Sequence, residues 1–115
     1  MFDHVHLRVS DLEASKAFYE IVLAPLGLEK TWDDGKLVEF GDLALSADGP
    51  VSENIHLAFV AGSREVVEAF HRAGVDAGFR SNGDPGLREY GHGYFAAYLL
   101  DPDANNVEAV LHEQE

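Results

Sequence analysis

Residues 4–18, HVHLRVSDLEASKAF, recur in outline as residues 56–70, HLAFVAGSREVVEAF. His4 aligns with His56, Glu13 with Glu65, Ala17 with Ala69 and Phe18 with Phe70. An internal repeat is folded as two copies of one supersecondary unit, and a pseudo-twofold between the copies brings equivalent positions together at the seam. Two imidazoles at such a seam point to a metal.

Outward from the repeat, the first copy reads as strand, helix and three further strands. Val5, Leu7 and Val9 alternate with His4, His6 and Arg8 over residues 3–9, the period of a half-buried strand. Ser10 and Glu13 have the spacing of a capping box. Ala14, Ala17, Phe18 and Ile21 then recur at helical spacing to about Leu23, where Pro25 and Gly27 end the helix. Strands are expected near 28–32, 37–40 and 43–47, separated by the turn pairs Asp34-Gly35 and Gly41-Asp42.

The second copy follows the same plan. A strand is expected at 54–61, then a helix capped by Ser63, with Val66, Ala69, Phe70 and Ala73 inward and Gly74 closing it. Strands fit near 75–79, 93–100 and 106–112. Residues 80–93 are rich in Gly, Asn, Asp and Pro and read as a long loop, either a binding lid or a solvated excursion.

Composition narrows the function classes. The chain has 115 residues, 46% hydrophobic and 25% charged, which suits one folded unit of two half-domains, about 1–50 and 51–115, sharing a core. No window approaches the length of a membrane span and no signal-peptide pattern opens the chain, so the expected location is the cytoplasm. Without cysteine, any metal needs nitrogen and oxygen ligands. A net charge of -13 repels phosphate backbones and anionic lipids, so neither nucleic acid nor membrane is an expected partner. The same charge favours a cationic small molecule, or serves solubility alone.

Three stretches, DHVHLRVSDLEASKAFYEIVLAPLGLE, NIHLAFVAGSREVVEAFHRAG and YLLDPDANNVEAV, together resemble the vicinal oxygen chelate superfamily, the glyoxalase, bleomycin-resistance and dioxygenase proteins, over nearly the whole chain. The resemblance implies an α+β fold of two tandem βαβββ modules forming a curved, mixed eight-stranded sheet around a cleft. It implies metal ligands at His4, His56 and Glu108. The strand pattern agrees for the last, since Glu108, Val110 and His112 share one face and Val107, Ala109 and Leu111 the other. Leu43-Ala44-Leu45-Ser46 offers no carboxylate or imidazole at the fourth position. Two histidines and one carboxylate suit Fe, Mn, Zn or Ni with open positions for a small oxygenated substrate. Relatives of this size pair, so a homodimer is expected, with the site within one chain or across two.

Beside this set, His6 is a candidate acid-base group or a packing histidine, and His92, between Gly91 and Gly93, is a candidate on the lid or part of a plain turn. Arg8 would hold an anionic group or neutralise Glu108. Trp32, Phe40, Tyr94 and Tyr98 would line an apolar cleft or simply fill the core. The reading is a divalent-metal-dependent enzyme of lyase, isomerase or dioxygenase type acting on a small molecule. The alternative is a metal-free, drug-binding protein in which the histidines are ordinary strand residues.

Overall fold

A computed structural model describes residues 1–91 and 93–113. The first module comprises β1 (Val5–Arg8), α1 (Leu12–Leu23), a 3-10 turn (Ala24–Leu26), β2 (Trp32–Asp33), β3 (Leu37–Phe40) and β4 (Leu43–Ser46). The second comprises β5 (His56–Val60), α2 (Arg64–Asp76), β6 (Ser81–Arg88), β7 (Tyr94–Leu100) and β8 (Asn106–His112). The two tandem βαβββ modules are therefore present. Their strands form two four-stranded mixed sheets, ordered β1-β4-β3-β2 and β5-β8-β7-β6, with β1 and β5 as parallel edge partners of β4 and β8.

Each helix covers one face of its own sheet and leaves the other open, because the strands alternate. Leu7, Val9, Leu43, Leu45, Val38 and Phe40 join Leu57, Phe59, Phe95, Ala97, Leu99, Val107 and Ala109 in one core with both helices. Phe18 of α1 meets Tyr19 and Phe79 edge-on, each at 4.8 Å between centroids, so an aromatic cluster spans the modules. Such pairs contribute roughly 0.5–1.5 kcal/mol each beyond area burial. A second bridge is polar. The buried Tyr19 hydroxyl donates to Asp101 at 2.7 Å, and Asp101 also accepts from the backbone of Asp103 and Asn105 and from the Asn105 amide.

Several local expectations are corrected. Asp11, not Ser10, caps α1 by accepting from the Ala14 amide; the Ser10 hydroxyl is drawn to Asp103 of the β7–β8 turn instead. Asp11 and Ser63, the two helix caps, are equivalent in the repeat. The buried stripe of α1 is Ser15, Phe18, Tyr19, Val22 and Leu23, with Ile21 outside. In α2 it is Val67, Phe70 and Gly74, and the helix runs on to Asp76. Gly74 does not close α2: a Cβ there would lie 2.5 Å from a Leu99 methyl, so close approach of helix to sheet explains it.

Residues 28–31 lie outside β2, and 77–80 form the turn after α2 rather than a strand. The long loop expected at 80–93 is largely β6, paired antiparallel with β7 through two register shifts. Its Gly and Pro mark an edge strand with bulges, the one setting in which a sheet accommodates them. Trp32 is 52% exposed, and Phe40 packs in the core while also lining an apolar hollow of about 330 Å³ with Val5, Leu43, Leu57 and Phe59. No helix among the described residues is long and apolar enough to cross a membrane.

Candidate functional site

The polar residues gather on the open faces. On the second sheet, β5 lies beside β8 and β8 beside β7, with Ala58 opposite Glu108 and Glu108 opposite Tyr98. The period of two puts His56, Glu108, Tyr94 and Tyr98 on one face. His56 Nε2 lies 2.6 Å from Glu108 Oε1, and the Tyr94 hydroxyl donates to Glu108 Oε2. Glu108 is fully buried at 0% exposure. Among the described residues it has no lysine or arginine within ion-pair distance. Burial, then the bond to Glu108 and its charge, holds the Tyr94 phenol above its ordinary value. Tyr98 is raised by burial first and by the Glu108 charge second.

The first sheet carries a different arrangement. Ser46 Oγ donates to Asp48 Oδ1 at 2.7 Å, and His6 Nε2 lies 2.7 Å from the same Ser46 oxygen. With its one proton committed to the carboxylate, the hydroxyl can only accept from His6, so Nε2 carries a hydrogen and Nδ1 of the neutral ring is the acceptor. Arg8 Nε donates to the same Asp48 oxygen at 3.2 Å. Arg8 therefore meets Asp48 and not Glu108 in this chain.

His4 stands apart. It precedes β1, its side chain is 66% exposed, and its Nδ1 lies 2.8 Å from Asp3. That bond is the chief cause of the upward displacement of its imidazole, with Glu39 and Asp42 adding to it. The structure thus brings His56 and Glu108 together but leaves His4 on the other sheet. Among the described residues, no three His, Cys, Asp or Glu side chains converge as a metal site. His92 lies outside the described residues.

Donor chemistry on the second face suits a divalent ion in part. His56 and Glu108 supply nitrogen and oxygen within bonding reach of one point, and a fully buried carboxylate favours a positive charge beside it. Among the described residues no third side chain completes such a set.

Residue reading missed three participants, Tyr94 as a partner of Glu108 and Ser46 and Asp48 as partners of His6. The first was accessible: the turn after Leu100 folds β8 back on β7 about Asp103, and that symmetry places Tyr98 opposite Glu108 with Tyr94 on the same face. The Ser46–Asp48 contact left no comparable signal, because Asp48 lies beyond β4.

Two tandem βαβββ units with paired histidine strands and a buried glutamate on the last strand define a class of small α+β proteins with open-faced sites. The model of the Glyoxalase/Bleomycin resistance protein/Dioxygenase superfamily matches residues 1–109, and the chain belongs to that family. A glyoxalase/bleomycin resistance protein from Albidiferax ferrireducens T118 is similar at 33% identity and TM-score 0.82, with 96% of this chain and 98% of that one covered. Lactoylglutathione lyase from Agrobacterium tumefaciens (23%, TM-score 0.70, 96% and 92% covered) and a glyoxalase-related enzyme from Fulvimarina pelagi (19%, 0.74, 96% and 87%) share the fold. No curated protein matches the chain.

Proposed function

We propose that the protein is an enzyme of lyase, isomerase or dioxygenase type that handles a small oxygenated molecule at the His56–Glu108 face, with a divalent ion held there. His56 and Glu108 of one protomer and His4 of a second would be its ligands. The observation that carries the reading is Glu108 itself: a carboxylate wholly removed from water, touched by an imidazole and a phenol and, among the described residues, by no lysine or arginine. Such a group is costly to keep unless a positive charge joins it. When bound, the ion would polarise adjacent oxygens of the substrate.

The chain's own residues supply the rest. Tyr94 orients Glu108, and the Ser46–Asp48 pair orients His6 so that its Nδ1 is ready to accept a proton. In a homodimer built with the first-sheet face of one copy over the second-sheet face of the other, His6 would stand across from Glu108. A second reading, a metal-free protein that sequesters a cationic or aromatic compound, draws support from the Tyr94–Tyr98 wall beside Glu108 and from the absence of a third ligand among the described residues.

Mixing variants separates these readings. Wild type, reloaded with Fe, Mn, Zn or Ni and desalted, is expected to retain one ion per site, and His4→Ala and His56→Ala to retain none. Refolding the two variants together is expected to restore about half a site per chain on average in the mixed dimers, since one of their two sites then keeps all its ligands. Wild type without metal overturns the enzyme reading in favour of sequestration. Metal in wild type with no restoration in the mixture overturns the shared site.

A further inference from the structure

Arg88 ends β6 at the margin of the same open face. Its guanidinium lies 5.2 Å over the Tyr98 ring, and Nη2 donates to the Asp84 carbonyl at 2.6 Å. Stacking, this bond and a longer one from Nη1 to the Leu87 carbonyl at 3.5 Å fix the plane of the fork and leave further N–H groups free. The backbone is shaped around it. A Cβ on Gly83 would come 2.7 Å from the Tyr98 ring and 3.2 Å from Arg88 Nη2, and a Cβ on Gly86 would come 3.1 Å from Nη1.

Among the described residues no carboxylate lies within ion-pair distance of Arg88, as is also so for Lys36, Arg72 and Arg80. Beside Arg88 is a hollow of about 290 Å³ lined by Asn82, Tyr90, Tyr98 and Asn106. Asn82 donates to the Asn106 side-chain oxygen at 3.1 Å, which leaves the Asn106 amide hydrogens for another acceptor. Asn106 pairs with His56 in the β5–β8 register and lies two residues before Glu108 on the same face. The hollow therefore opens onto the His56–Glu108 site.

We propose that this hollow is an oxyanion subsite, in which Arg88 and the Asn106 amide grip the carboxylate or phosphate group of a small molecule whose oxygenated end reaches His56 and Glu108. A planar guanidinium with N–H groups to spare matches two oxygens of either group. Overall negative charge does not prevent this, because charges beyond about 8 Å are screened at physiological salt while the contact pair is not. The inference deepens the proposed function, since it assumes that this face receives a small molecule, but it requires no metal.

The test uses the full-length, metal-free protein, titrated separately with benzoate and with inorganic phosphate and followed by the NMR shifts of the Arg88 Nε–H, the Asn106 side-chain amide and the Gly83 and Gly86 amides. Saturable shifts with at least one anion are expected, and the anion that gives them identifies the group recognised. Arg88→Gln is expected to weaken that binding about 10- to 100-fold and Arg88→Lys about tenfold, since lysine keeps charge but loses the fork. Lys36→Gln, which removes an exposed positive charge from the first module, is expected to leave it within about twofold, and because the titrated protein is metal-free a failed metal experiment does not decide this one. Absence of saturation in wild type, or equal affinity in wild type and Arg88→Gln with circular dichroism unchanged, overturns the subsite. Equal loss in Lys36→Gln and Arg88→Gln overturns it too, by making the effect one of net charge.

Discussion

The two modules are copies in backbone and unequal in chemistry. Equivalent strand pairs place Ala44 opposite His6 in the first sheet and Glu108 opposite Ala58 in the second. Repeat position for repeat position, His4 matches His56, but its diagonal partner is an alanine where His56 has the buried glutamate. Polar contacts of the first sheet are instead shifted two residues along, to His6, Ser46 and Asp48. Duplication conserved what the shared core requires, the caps at Asp11 and Ser63 and the phenylalanines at 18 and 70. The open faces, free of that packing demand, diverged into a His6–Ser46–Asp48 half and a His56–Glu108–Tyr94 half.

If the core is what keeps the copies alike, equivalent core deletions should cost alike. Phe18→Ala and Phe70→Ala each remove a fully buried ring and are expected to lower the unfolding free energy by roughly 3–5 kcal/mol. Urea unfolding with unchanged m-values checks this, and a single transition is expected in both variants. A loss in one variant under half that in the other would break the equivalence, and two transitions would show modules that unfold separately.

The open faces should then show the opposite, an asymmetric response at equivalent positions. His56→Ala strips a partner from a buried carboxylate and is expected to cost about 1–3 kcal/mol without metal. His4→Ala touches an exposed side chain paired with an exposed aspartate and should leave stability unchanged within the precision of the measurement. The same urea measurement on metal-free protein decides it. Equal costs would mean that His4 has a buried partner, and that the half-sites are more alike than their strands indicate.

That asymmetry also marks where sequence reading succeeds. The module plan, both helices and the inward faces of β1 and β8 were legible, because repetition and the period of two are properties of residues in order. Glu108 was legible as an anomaly, a charge in an apolar strand. Its grouping with His56 came from the family resemblance, whereas the bond from Tyr94 depends on hairpin register, and the Ser46–Asp48 contact depends on the path of the chain after β4. β6 escaped notice because Ser81-Asn82-Gly83-Asp84-Pro85-Gly86 has turn composition, and its partner β7 overrides that preference at two bulges. Ser10 looked like a cap until Asp103, 93 residues away, competed for its hydroxyl.

The smallest difference between the modules lies in the turns that aim their last strands. The turn into β4 uses Gly41 at φ 60°, while the turn into β8 places Ala104 at φ 63°, in the left-handed region where a Cβ is strained. Ala104 is held there by Asp101, which receives the Ala104 amide on its backbone oxygen and the Asp103 and Asn105 amides on its carboxylate. Ala104→Gly removes about 1–2 kcal/mol of strain. It also frees the unfolded chain, which opposes the gain by roughly 0.4–1 kcal/mol. Strain is the larger, so the variant is expected to be more stable by about 0.5–1 kcal/mol and to melt a few degrees higher by calorimetry. A lower melting temperature would mean that the alanine methyl is packed to advantage, and that the second module's turn is not a strained version of the first's.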